Sequence, residues 1–233
     1  MSGRREFRQV RFAPEQGACE ILLVRHGESA PLLEGDSFPM VGGHADPPLH
    51  PDGVVQAERA AERLVATGEQ IAAVYVTTLT RTHQTAAPLL ARLGQEAIVE
   101  GDLREVFLGD WEGGVLRHKI ADRDPIALRM HDEQRWDVIP NAEPSAEFEA
   151  RVRAGIERIA AAHPDQLVVA VVHGGVIGQV MKIASGSPGF AFNGADNASI
   201  SHLVVTAERW IVRCYNDTSH LSPTFSSAPQ PLT

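Results

Sequence analysis

Two apolar runs in this chain end in the same His-Gly pair, and that repetition constrains the fold more than any other feature. Ile21-Leu22-Leu23-Val24 leads into Arg25-His26-Gly27, and Leu167-Val168-Val169-Ala170-Val171-Val172 leads into His173-Gly174-Gly175. Each run is short and rich in branched side chains, the pattern of a strand buried on both faces of a parallel sheet. Each is followed by glycine and by a segment able to start a helix. Ligands of open α/β sheets bind beyond the carboxyl ends of the strands. Two histidines leaving strands at that edge can face one another across one pocket.

The rest of the pattern alternates in the same way. A helix is expected from about Asp52 to Thr67, with Val54, Ala57, Ala61 and Leu64 on its inner face and Gly68 as its stop. Ile71 to Val76 reads as a strand. Arg81 to Leu93 reads as a helix closed by Gly94 and kinked at Pro88, and Ala97 to Glu100 as a short strand. Ser145 to Ala162 places Phe148, Val152, Ile156 and Ile159 at helical spacing; a further helix is expected near Val176 to Ala184. Ser199 to Ala207 and Trp210 to Asn216 read as two closing strands joined by a tight turn. Alternating strands and helices predict a three-layer α/β/α domain with a mostly parallel central sheet. The expected organisation is a loose N-terminal arm over 1–18, one domain over 19–221 with an irregular insertion at 107–144, and a disordered Pro/Ser/Thr-rich tail over 222–233.

A formal net charge of −9 argues against a general nucleic-acid binder, which shows a basic face. No stretch approaches the length of a transmembrane helix, and Met1 to Phe12 lacks the apolar centre of a signal peptide, so a cytoplasmic protein is expected. Cys19 and Cys214 make neither a disulfide framework nor a metal motif and read as buried, reduced thiols. The ten histidines include no pair at the helical spacing of a metal-dependent hydrolase, and no Walker-type loop is present. No cofactor or metal is expected.

Four positions carry chemistry. Arg25 offers a planar fork of donors suited to phosphate, and Gly27 lets the backbone turn sharply beside it. A neutral imidazole at His26 can attack phosphorus without a base to activate it. It must keep a lone pair on the attacking nitrogen, so the other nitrogen is expected to donate to a fixed acceptor such as a backbone carbonyl. Arg81 begins a helix, where a cation near the positive end of the dipole suggests an anionic partner. Glu105 sits between apolar neighbours and suits a proton donor, with Asp110 and Glu112 as rivals that the residues alone do not separate.

Taken together, the chain resembles the histidine phosphatase superfamily, the phosphoglycerate-mutase-like fold. The resemblance rests on Leu23-Val24-Arg25-His26-Gly27-Glu28-Ser29, Asp46-Pro47-Pro48-Leu49, Leu79-Thr80-Arg81-Thr82-His83-Gln84-Thr85-Ala86, Leu103-Arg104-Glu105 with Gly109-Asp110-Trp111-Glu112-Gly113, and Val171-Val172-His173-Gly174-Gly175, in family order. It implies His26 as the nucleophile that becomes phosphohistidine, with Arg25, Arg81 and His173 as the rest of the phosphoryl pocket. Glu105 is implied as general acid and base, and Gly174 as a backbone donor to phosphate. The family's chemistry needs no metal, and its members often form dimers.

Departures from the family pattern mark possible specificity positions. Leu32 stands where many members carry a phosphate-contacting asparagine, leaving Ser29 as a hydroxyl donor. His44 replaces a common glutamine or arginine and is a candidate substrate contact, as are Asn197 and Arg117. The insertion that roofs the site in this fold also carries His118, Lys119, Arg123, Arg129, His131 and Arg135 among interspersed acids. Glu143 is expected to cap the following helix or to orient a pocket residue. The expected activity is a metal-independent phosphatase acting on small phosphate monoesters. The alternatives are a phosphoglycerate-type mutase, whose basic, proline-bearing insertion is not found here, and an inactive phospho-ligand-binding module.

Overall fold

The computed structural model describes residues 7–222 and Thr224. Six strands form one sheet in the order β5-β4-β6-β1-β7-β8: β1 (Cys19–Arg25), β4 (Ile71–Val76), β5 (Ala97–Val99), β6 (Leu167–Val172), β7 (Ile200–Val205) and β8 (Trp210–Asp217). β5, β4, β6 and β1 pair in parallel, and β7 and β8 add antiparallel pairings at one edge. Alternate strand residues divide between two cores. Val24, Val74, Val76, Val169 and Val171 pack on α1 (Pro51–Ala66) and α2 (Thr80–Leu93). Ile21, Leu23, Tyr75, Val168, Ala170 and Val172 share the opposite core with α5 (Ser145–Ala162), α6 (Gly174–Ser185) and the 107–144 segment. The molecule is therefore a three-layer α/β/α fold with a mixed, mostly parallel sheet. Among the described residues no helix is long and apolar enough to cross a membrane.

Several local expectations shift. The buried face of α1 is Gly53, Ala57, Ala60, Ala61 and Leu64, while Val54 is exposed. Gly53, not Val54, takes the inner place of the first turn because it lies against the Glu28 backbone, where a Cβ would come within 2.1 Å of the Glu28 carbonyl oxygen. α6 begins at Gly174 rather than near Val176, with His173 as its N-cap. Gly94 closes α2 in the left-handed conformation, and the helix continues past Pro88. Cys19 is buried, but Cys214 is exposed on the edge strand β8.

The long loop after β1 contains an unforeseen element, a hairpin of β2 (Met40–Val41) and β3 (His44–Ala45). Its two-residue turn is Gly42-Gly43, both at positive φ (56° and 87°), which suits a type I′ hairpin. The 107–144 segment contains α3 (Val115–Ala121), α4 (Pro125–Glu133) and short 3₁₀ turns. Residues 7–17 form no helix or strand, although Arg213 covers the Phe12 ring at 3.8 Å. Of the tail expected to be disordered, only Ser222 and Thr224 lie within the described residues.

Candidate active site

Strand register brings the two His-Gly units together. β1 and β6 are parallel neighbours in which Arg25 pairs with Val172, so His26 and His173 leave adjacent strand ends at the same level. The His26 amide donates to the Val172 carbonyl (2.9 Å), and the two imidazole centroids are 5.2 Å apart, edge to face.

His26 is 2% exposed, and its Nδ1 lies 2.7 Å from the Gly27 carbonyl oxygen. A carbonyl only accepts, so Nδ1 carries the proton in the neutral ring and Nε2 keeps its lone pair. Burial, then the charges of Arg81 and Arg25, push the His26 pKa well below its usual 6.5. Burial and Arg81 do the same to His173, whose Nε2 is 3.0 Å from the Thr77 hydroxyl oxygen and whose Nδ1 is buried without a hydrogen-bond partner. Fixed positive charge at this site therefore comes from the guanidinium groups, with both imidazoles neutral near pH 7.

Arg25 is fully buried at the end of β1, and its Nη1 donates to the Ala195 carbonyl. Burial lowers its pKa to about 10, opposed mainly by Glu105. Arg81, in the first turn of α2, donates to the Ala45 carbonyl (2.9 Å) and lies 3.8 Å from Asp46. Asp46 in turn accepts from the Thr80 amide (2.8 Å) and hydroxyl (2.6 Å). Burial also lowers the Arg81 pKa, and Glu105 is the first charge opposing that shift. Glu105 thus sits electrostatically between both arginines. It is 6% exposed and accepts from the amides of Val106 (3.0 Å) and Gly175 (3.2 Å). A Cβ on Gly175 would stand 2.5 Å from Glu105 Oε1, so the second glycine of the His-Gly-Gly unit makes room for this carboxyl group.

His26, Arg81 and Glu105 line one pocket together with Ser29, Phe38, His44, Leu108, Trp111, Leu116 and Arg117. A sequence profile of the histidine phosphatase superfamily, branch 1, matches residues 21–218. The chain belongs to that superfamily. It is 32% identical over 209 residues to the phosphoglycerate mutase-like protein 4 of Arabidopsis thaliana, covering 88% of each chain. It is 30% identical over 212 residues to a metal-independent phosphoserine phosphatase of the same plant, covering 89% of this chain and 85% of the relative. Its fold matches that of a mycobacterial glucosyl-3-phosphoglycerate phosphatase with a TM-score of 0.71 at 27% identity, over 86% of this chain and all of that one.

In this histidine phosphatase superfamily member the remaining sequence candidates fall into distinct places. Glu112 lines the pocket, but its two oxygens accept from the amides of Ala45 (2.7 Å) and Leu108 (3.0 Å), bracing β3 against the 107–144 segment. Asp110 is exposed and holds Asn141 (2.9 Å). Glu105 is the carboxyl group that faces the pocket and couples to both arginines. Asn197 is buried and donates to the His26 carbonyl (2.9 Å), so it supports the strand-end loop and is not among the pocket-lining residues. Gly174 is buried in the first turn of α6, and like Arg25 and His173, which are buried behind His26's strand end, it is not among the pocket-lining residues. Arg117 lines the pocket and donates to the Ser29 hydroxyl (2.8 Å) and the Ala30 carbonyl (2.9 Å). Three other cations of the segment bind acids: Lys119 holds Asp124 (2.8 Å), Arg129 lies 3.5 Å from Glu133, and Arg135 holds Glu133 (2.8 Å) and Asp137 (2.9 Å). Among the described residues, Glu28, His50 and Asp52 are grouped closely enough to hold a metal ion, and none of them lines this pocket.

Sequence reasoning missed three supports. Thr85 accepts from the Gly27 amide (3.0 Å) and donates to the Arg81 carbonyl (2.8 Å), linking the turn after His26 to the first turn of α2. Arg151 binds the carbonyls of Asp102, Arg104 and Glu105. Gly27 matters for clearance rather than for turning: a Cβ there would lie 2.4 Å from the Gly53 carbonyl oxygen. The run of threonines around Arg81 was the available signal for the first; nothing local marks the other two.

Proposed function

We propose that this protein hydrolyses small phosphate monoesters without a metal, through a phosphohistidine on His26. The supporting observation is the His26 tautomer: Nδ1 is spent on the Gly27 carbonyl, leaving Nε2 as a lone-pair nucleophile among buried cations. Nε2 attacks phosphorus as the ester P–O bond breaks, and protonated Glu105 gives its proton to the leaving oxygen. Glu105, now a carboxylate, takes a proton from water as that water attacks phosphorus. The N–P bond breaks, and phosphate leaves with His26 and Glu105 restored.

Phosphoryl transfer is catalysed mainly by positioning and charge stabilisation. On this reading Arg25 and Arg81 supply that charge, His173 gives one hydrogen bond from Nδ1 when Thr77 donates to its Nε2, and the Gly174 amide, at the start of α6, is available to the anion. Ser29 accepts from Arg117, which leaves its own hydroxyl proton to give to the substrate. Phosphate release from p-nitrophenyl phosphate with chelator present, and its loss in His26→Ala, test the reading. Undiminished release by the variant, or exchange between 2- and 3-phosphoglycerate in place of hydrolysis, overturns it.

A further inference from the structure

His44 is held more firmly than a loop residue usually is. It follows the Gly42-Gly43 turn and precedes Ala45, whose amide is bound by Glu112 (2.7 Å) and whose carbonyl is bound by Arg81 (2.9 Å). Its ring packs edge to face on Phe107, with centroids 5.4 Å apart. The residue is 7% exposed and lines the pocket that contains His26, Arg81 and Glu105. Its Nδ1 lies 3.3 Å from the Gly42 carbonyl oxygen, so in the neutral ring Nδ1 carries the proton and Nε2 is an acceptor. That Nε2 is buried and has no hydrogen-bond partner. A buried acceptor left unpaired is costly, and native proteins rarely keep one without a use. Phe38, Leu108, Trp111 and Leu116 form largely apolar walls around the same space.

We propose that His44 selects the leaving group: its Nε2 accepts a hydrogen bond from an O–H or N–H of the departing alcohol, favouring phosphate esters of hydroxylated or amino alcohols. This rests on the phosphatase reading above and adds a substrate class to it. An ester lacking the donor leaves Nε2 unpaired, which costs about tenfold in specificity, the usual worth of one hydrogen bond in a buried site.

The test compares sn-glycerol 3-phosphate with propyl phosphate, which share a three-carbon primary leaving group and differ in hydroxyls. The wild-type ratio of kcat/KM is expected to be about tenfold in favour of the glycerol ester. In His44→Leu it falls towards one, and in His44→Gln, which keeps an acceptor, most of it returns. Because the ratio is taken within one protein, a change in folded fraction cancels. A ratio that stays within about twofold of wild type in His44→Leu, or is already near one in wild type, overturns the proposal. The ratio of dissociation constants for the two esters on His26→Ala measures the same preference without turnover. A preference in binding with no hydrolysis by wild type refutes the phosphatase reading alone; hydrolysis without the preference refutes the role of His44 alone.

Discussion

Replacing Arg151 by methionine removes a brace that lies behind Glu105 rather than in the pocket. Arg151 projects from α5 and forms five hydrogen bonds. Three reach the carbonyls of Asp102 (2.7 Å), Arg104 (2.7 Å) and Glu105 (2.9 Å), and two reach Glu143 (2.6 and 2.8 Å). Glu143 also accepts from the Phe107 amide (3.3 Å), so the pair holds both sides of the segment that carries the proposed acid. The Arg151 and Glu143 side chains are 18% and 13% exposed, which leaves little solvent screening. Removing one member of a fully buried pair costs about 3–5 kcal/mol, because the remaining charge is left uncompensated, and this partly buried pair falls towards the lower end of that range. In a chain of this size that corresponds to a fall in Tm of about 10 °C. A displacement of Glu105 by about 1 Å costs about a hundredfold in rate, and only where proton donation matters.

The assay is thermal unfolding together with kcat/KM for phenyl phosphate, a poor leaving group, and p-nitrophenyl phosphate, a good one. Arg151→Met is expected to lose far more rate with the phenyl ester. Adding Glu143→Gln removes the stranded charge, so it recovers part of the Tm without recovering that rate. Equal losses with both esters, or a Tm within about 2 °C of wild type, refute the reasoning.

Two further outcomes follow from the site. Glu105→Gln is expected to slow hydrolysis of phenyl phosphate by about 10²–10⁴-fold and of p-nitrophenyl phosphate much less, since p-nitrophenolate departs without a proton; steady-state kinetics with both esters decide this. His26 and His173 have pKa values pushed below the 6.5 of an unfolded histidine, so both are neutral in the fold at pH 7. As pH falls below about 6.5 the unfolded chain takes up protons that the folded protein resists. Stability therefore drops by up to about 1.4 kcal/mol per pH unit for each ring until its folded pKa is reached. Melting curves from pH 7.5 to 5 should show this slope, and His26→Gln should lessen it; a wild-type slope that the substitution does not change contradicts the buried-neutral assignment.

Local sequence determined the six strands of the main sheet, most helix limits and the edge at which the chemistry gathers, but not the β2–β3 hairpin. Branched apolar runs, glycine stops and the repeated His-Gly unit are neighbour effects, and neighbour effects are written along the chain. The His26 tautomer was legible for the same reason, since its acceptor is the next residue. Periodicity placed Ala57, Ala61 and Leu64 on the inner face of α1 correctly and misplaced only Val54, because at the first turn Gly53 packs on the Glu28 backbone instead. The start of α6 was missed because glycine disfavours helix locally, whereas Gly175 is suited to the space beside Glu105. Only tertiary structure tied Glu105 to the Gly175 amide and to both arginines, joined Asn197 to the His26 carbonyl and set Arg151 under the segment that carries Glu105. Each of those choices joins residues far apart in sequence. They depend on which strands become neighbours and at what register, and the free energy of that packing belongs to the whole sheet rather than to any window of the chain.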